Sequence, residues 1–150
     1  MNDMLVSELM QPALSAGPGD TVRTAACLLS RRNVGALPVV GAGGRLLGIV
    51  TDRDLVLRCL AAGLDPDKTP LRAVMTPAPR CAAPEDSLDR AAALMAADKV
   101  RRLPVAREGR LVGMLSLGDL ARCRTYAMEA AQALTEISQG VTRASPPPKE

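Results

Sequence analysis

Two places in the chain set a hydroxyl three residues ahead of a carboxylate: Thr51-Asp52-Arg53-Asp54 and Ser116-Leu117-Gly118-Asp119. In the first turn of a helix that spacing puts both groups on one side. The carboxylate can then accept hydrogen bonds from two neighbouring hydroxyls of a bound molecule, a vicinal diol. The plainer role for Thr51 and Ser116 is to cap the helices they open, and the two roles can coexist. Arg53 adds a cation beside the first carboxylate, where Gly118 stands beside the second.

Other chemistry is scarce. The 150 residues include no His, Phe or Trp, and Tyr126 is the single aromatic residue. The commonest general base and metal ligand is therefore missing, as are the rings on which nucleic-acid bases stack. A net charge of +3 arises from 19 basic and 16 acidic residues scattered along the chain. A nucleic-acid binder concentrates its basic residues on one face, so nucleic acid is not an expected partner. Cys27, Cys59, Cys81 and Cys123 stand far apart with no CxxC pair, and read as small core residues in a reducing compartment. No apolar run approaches the roughly 20 residues of a membrane span. The opening Met1-Asn2-Asp3-Met4 lacks the basic and apolar regions of a signal peptide. The expected location is cytoplasmic, away from membranes.

The elements that must position these groups come in two copies. The segment Gly35 to Leu55, containing Leu37-Pro-Val-Val, Gly48-Ile-Val-Thr and Asp54, returns as Arg101 to Leu120, with an offset of 66 before the central turn and 65 after it. Upstream, Met10-Gln-Pro12 matches Met75-Thr-Pro77, and Asp20-Thr21 matches Asp86-Ser87. In each copy those last residues are suited to cap a helix. Val22, Ala25, Ala26 and Leu29, and again Leu88, Ala91, Ala92 and Met95, follow at i, i+3, i+4, i+7, so each helix should bury one stripe. Two short apolar runs joined by a Gly turn, Leu37–Val40 with Leu46–Val50, read as a hairpin. Second helices should begin near Asp52 and Leu117.

The unit is therefore strand, helix, strand, strand, helix. One copy alone has a thin core, so two should pack sheet against sheet about an approximate two-fold. The expected organisation is a first repeat at 4–64, a second at 65–122, a helical extension at 123–140 and a disordered tail at 141–150. In the extension Leu120, Cys123, Ala127, Ala131, Leu134 and Ile137 would form one stripe along a continuing helix. That stripe is expected against a partner subunit or across the molecule.

Paired Met-x-Pro, h-x-x-Leu-Pro-Val and Gly-h-h-(Thr/Ser)-x-x-Asp segments, in that order and at this spacing, resemble tandem cystathionine β-synthase (CBS) domains. The resemblance covers roughly residues 4–122, and the chain looks like a stand-alone CBS pair. It implies an α/β fold of the α+β type, with two pseudo-two-fold β-α-β-β-α repeats and an extended C-terminal helix. It also implies a homodimer, with AMP, ADP, ATP or S-adenosylmethionine bound in clefts between the repeats. No cofactor is required and no catalysis is implied; a regulated protein is a further conceivable partner.

On this resemblance Asp54 with Thr51, and Asp119 with Ser116, receive the ribose, while adenine lies against the opposite repeat. The first cleft would join Thr51 and Asp54 to Pro79, Arg80, Val100, Arg101 and Pro104. The second would join Ser116 and Asp119 to Ala13, Leu14, Val34, Gly35 and Pro38. Arg53 and Arg101 are placed to meet phosphate at the first cleft. Gly118 and Gly35 replace them at the second, which should therefore bind phosphate poorly.

Two other classes stay open. One is a structural dimerisation module with vestigial clefts. The other is a metal-linked redox sensor using Cys27, Cys59, Cys81 or Cys123. Without His, a tetrahedral zinc site would need thiolates, carboxylates or several subunits.

Overall fold

Residues 4–123 and 127–139 are described by the computed structural model of the chain. The first long helix of each repeat starts at the expected cap: the Thr21 hydroxyl accepts from the Thr24 N–H at 3.2 Å and the Ser87 hydroxyl from the Arg90 N–H at 3.2 Å. These helices are α2 (Val22–Arg32) and α4 (Leu88–Asp98), after a short α1 (Val6–Leu9). Both end at a residue in the left-handed region, Asn33 (φ 51°) and Lys99 (φ 57°), the usual way to turn a chain out of a helix.

Each helix leads into an antiparallel hairpin. In the first repeat β1 (Ala36–Val40) pairs with β2 (Leu46–Thr51), and in the second β4 (Arg102–Arg107) pairs with β5 (Arg110–Ser116). The second hairpin turns at Glu108 (φ 52°) and Gly109 (φ 79°), two consecutive positive-φ residues as a tight hairpin turn requires. Helices follow the hairpins directly: α3 (Asp52–Leu55), continuing as a π turn over Val56–Leu60, and α5 (Leu117–Arg122). The last helix is α6 (Ala127–Gln139).

The two copies are tied together by exchanging their opening segments. Thr76–Pro77 of the second repeat forms β3 on the edge of β2, with Ile49 opposite Thr76 and Gly48 opposite Pro77. Reciprocally, Gln11 of the first repeat bridges Met114 of β5. Consequently the apolar residues form two separate clusters, where the sequence suggested one core between facing sheets. Leu71 and Val74 lie in the cluster of Val22, Ala25, Leu29, Leu37, Val39, Val50 and Leu55, while Val6 lies in the cluster of Leu88, Ala91, Met95, Leu103, Val105, Leu115 and Leu120.

Two expectations about the helices need correction. The helix does not run on from Leu120, because α5 ends at Arg122 and Cys123 is extended (φ −88°, ψ 111°). Among the described side chains of α6 the buried ones are Ala133 and Ile137, an i, i+4 pair, whereas Ala131 and Leu134 are exposed; the side chains of 127–130, Ala127 among them, lie outside the described residues. The second correction follows from where α6 packs, across α4 and α5. Ala92 under α6 is 4% exposed, but its counterpart Ala26 on α2 is exposed, since no described helix covers the first repeat in the same way. The expected tail, 141–150, lies outside the described residues. No described helix is long and apolar enough to cross a membrane.

Candidate functional site

The two Thr/Ser-x-x-Asp segments are reciprocal capping boxes. The Asp54 N–H donates to Thr51 Oγ1 at 3.1 Å, and the Thr51 N–H donates to Asp54 Oδ2 at 2.9 Å. At the second copy the Asp119 N–H donates to Ser116 Oγ at 3.0 Å, and the Ser116 N–H donates to Asp119 Oδ2 at 2.9 Å. The capping role is thus realised in both copies, and each arrangement satisfies two backbone donors at a helix start. It also ties each carboxylate down through Oδ2, leaving Oδ1 to other partners.

The two Oδ1 atoms meet different neighbours. Asp54 Oδ1 lies 3.8 Å from Arg58 Nε, and Arg58 also donates to the Val74 and Met75 carbonyls, each at 3.2 Å. Asp119 Oδ1 is held by the Arg122 guanidinium. The Asp119 side chain is 5% exposed and that of Asp54 15%.

A cavity of about 300 Å³ opens beside Asp119. It unites Ala13, Leu14, Val34 and Pro38 of the first repeat with Ser116 and Asp119 of the second. Of the residues expected at this cleft only Gly35 is not in its lining. A Cβ added to Gly35 would stand 3.6 Å from Asp52 Oδ2 and 3.8 Å from Arg102 Nη1. The lining also holds Gln11 and Pro12 of the Met-x-Pro motif, and Arg32, Ala36, Arg102 and Met114, which were not expected at this cleft. Ala36 was findable: it lies between Val34 and Pro38 at the two-residue period of one strand face.

The residues expected at the first cleft are arranged by the mirrored crossing. The Ala78 N–H donates to the Leu47 carbonyl at 3.0 Å and the Ala82 N–H to the Pro104 carbonyl at 2.9 Å. Pro79 and Arg80 are thereby carried from β2 across to β4, where Pro104 is buried and Val100 half-buried. Arg80 pairs there with Asp98 at 3.2 Å. Arg53 is exposed on α3. Arg101 lines a different cavity, with Ser116, Leu117, Gly118 and Arg122 on the α5 side of its own repeat.

The second cleft also has basic residues that the motifs did not point to. Glycine stands there at the positions of Arg53 and Arg101, and Arg32 and Arg102 are in the lining. In the 66-residue offset their counterparts are Asp98 and Ala36. Arg102 belongs by strand to the first cleft, but small neighbours at Gly35 and Ala36 leave room for its long side chain to reach the second.

The cysteines do not gather. Cys59 is buried, Cys81 and Cys123 are half-buried and Cys27 is exposed, all as free thiols. Burial, and then the neighbouring Asp86 carboxylate, push the Cys81 thiol above its ordinary pKa. Among the described residues no group of three or more His, Cys, Asp or Glu side chains could hold a metal ion.

Comparison with known proteins gives a consistent set of likenesses. The CBS domain family model matches residues 6–60 and 71–126. A CBS domain-containing protein of Bacillus subtilis, YhcV, is 43% identical over 124 residues, 83% of this chain and 87% of the relative. Among solved structures, a CBS domain protein from Pyrobaculum aerophilum complexed with AMP superimposes with a TM-score of 0.76 at 30% identity, covering 86% of this chain and 99% of that one. A CBS domain pair in complex with 5′-methylthioadenosine and S-adenosyl-L-methionine gives 0.71 at 27% identity, covering 81% and 95%.

Proposed function

This chain belongs to the CBS domain family, and we propose that it is a regulatory module that binds an adenosyl ligand (AMP, ADP, ATP or S-adenosylmethionine) between its two repeats, without catalysis of its own. The observation that carries the reading is the cavity at the second cleft. One repeat supplies its apolar wall, Ala13, Leu14, Val34 and Pro38, and the other its polar end, Ser116 and Asp119. A flat base packs against short aliphatics and proline, while an oriented carboxylate accepts the ribose diol, the usual composition of a small-molecule site. AMP and S-adenosyl-L-methionine in the related structures support the same ligand class.

Because the cavity is made from both repeats, a ligand that fits one relative position better than another shifts the balance between them by its difference in affinity. That shift is the regulatory output. The absence of His from the sequence, with both motif carboxylates committed to capping, argues for binding over chemistry.

The proposal includes a homodimer in the cytoplasm. Four free thiols suit a reducing compartment. On the first repeat an apolar groove lies between α2 and α3, lined by Val22, Ala26, Leu29, Leu55, Val56 and Leu60 among others. Leu60 is 62% exposed and Val56 51%. The equivalent face of the second repeat is covered by the chain's own α6, and a second copy is the occupant assigned to the uncovered one.

Titration calorimetry with adenosine and AMP tests the ligand reading, together with mass spectrometry of ligand released from the purified protein. Saturable binding at one site per chain, lost in Asp119→Ala, is expected. No binding of either compound, and none released, would favour the structural module with vestigial clefts.

A further inference from the structure

Five arginines among the described residues have carboxylate partners: Arg23 with Asp67, Arg58 with Asp54, Arg80 with Asp98, Arg90 with Asp86 and Arg122 with Asp119. Arg32 and Arg102 have none among the described residues, yet both line the cavity of the second cleft. The charge of Asp119 is matched by Arg122, which holds its Oδ1. The cavity therefore pairs an apolar wall with two guanidinium groups that form no ion pair, one from the end of α2 and one from the start of β4; the carboxylate nearest Gly35, that of Asp52, is not in the lining.

The mirrored positions make the contrast. Where Arg32 stands in the first repeat, Asp98 stands in the second, already paired with Arg80 at 3.2 Å. Where Arg102 stands in the second repeat, Ala36 stands in the first. At the first cleft the position of Arg32 is an acid with an arginine partner, and at the second two arginines without an ion pair line the hollow. Guanidinium groups hold phosphate through paired, charge-assisted hydrogen bonds.

Taking that cavity as the adenosyl cleft proposed above, we infer that Arg32 and Arg102 read the ligand's charge. They receive a phosphate group between them, so the second cleft selects an adenine nucleotide over an uncharged nucleoside or a cationic sulfonium. The two cations belong to different repeats. A phosphate held by both fastens the repeats together, whereas adenosine engages the base wall and Asp119 without that tie. The cavity volume, about 300 Å³, lies at the small end of ligand sites and suits one mononucleotide.

The test is calorimetry on the full chain with AMP, adenosine and S-adenosylmethionine, at two salt concentrations. AMP should bind at least about tenfold more tightly than adenosine, the effect of one charge-assisted contact, and its advantage should shrink as salt rises. Arg32→Gln and Arg102→Gln should each bring the AMP-to-adenosine ratio toward one. Arg107→Gln removes the same charge from the same strand as Arg102, but Arg107 is exposed at the far end of β4, so the ratio should hold. Adenosine binding with no AMP preference, or a preference that both Gln variants leave intact, overturns the inference and leaves the ligand cleft standing. Binding of none of the three compounds overturns the cleft itself. Circular dichroism of each variant confirms that lost preference is not lost folding.

Discussion

Met10 of the first repeat crosses Gly113 of the second so closely that a Cβ built on Gly113 would stand 2.8 Å from the methionine sulfur. The mirrored pair is tighter: at Gly48 a Cβ would lie 2.5 Å from Met75 Sδ and 2.8 Å from the Thr76 carbonyl oxygen. The glycine of one motif and the methionine of the other are thus two halves of one crossing, and the crossing holds each repeat to its neighbour.

That geometry ranks two substitutions. Gly48→Ala should cost about 1–3 kcal/mol, as overpacking of a tight site does, because a backbone carbonyl blocks the new methyl group. Gly113→Ala should cost less, since its nearest backbone atom, the Gln11 carbonyl oxygen, lies 3.1 Å away and Met10 can change rotamer. Urea unfolding of the two variants measures the order.

The two motif aspartates should behave differently toward ligand. Asp119 lines the cavity with Arg32 and Arg102, so Asp119→Ala should remove the tighter site. Asp54→Ala should leave that site nearly intact. Both variants lose half of a capping box and should lose about 1 kcal/mol of stability. Calorimetry separates the binding effect from the shared stability effect; an unchanged tight site in Asp119→Ala would move the ligand to the other cleft.

Removing side chains from α6 distinguishes its buried positions from the stripe first expected. Ile137 is 6% exposed and Leu134 42%. Ile137→Ala should therefore cost about 2 kcal/mol or more, and Leu134→Ala less than about 0.5 kcal/mol. Thermal or urea denaturation would reverse the assignment if Leu134→Ala proved the costlier.

Thiol labelling should follow burial and charge. Exposed Cys27 should react with a small alkylating reagent first and buried Cys59 last. The Cys81 pKa is raised by burial and Asp86, so its thiolate is scarce at neutral pH and its labelling should accelerate only above the ordinary thiol range. Mass spectrometry of a labelling time course at two pH values gives the order directly.

Leu60, 62% exposed beside the uncovered groove, bears on assembly. Leu60→Glu should convert a dimer to a monomer in sedimentation experiments without lowering unfolding stability, because the side chain is not part of either core cluster. A wild-type chain that sediments as a monomer would remove the second copy from the groove.

Much of the design was legible in the amino-acid sequence. The repeat, the caps at Thr21 and Ser87, both hairpins and the Thr/Ser-x-x-Asp starts follow from local rules: spacing, turn chemistry and period. The grouping of Ala13, Leu14, Val34 and Pro38 with Ser116 and Asp119 was also reachable, through the likeness of the motifs to CBS domains.

What spacing alone left undetermined was the direction of long side chains and the ownership of apolar faces. Arg102 lies on a strand assigned to one cleft and reaches the other because Gly35 and Ala36 leave room, a fact about space between two repeats. Arg32 reads as an ordinary charge at a helix end until the fold puts a hollow beside it. Val6 joins the second core and Leu71 the first because the opening segments exchange, and Ala92 is buried where Ala26 is not because α6 packs on one repeat. Local sequence sets backbone geometry over a few residues; which surfaces meet, and which long side chains line the hollow between the repeats, is decided by contacts between segments far apart in the chain.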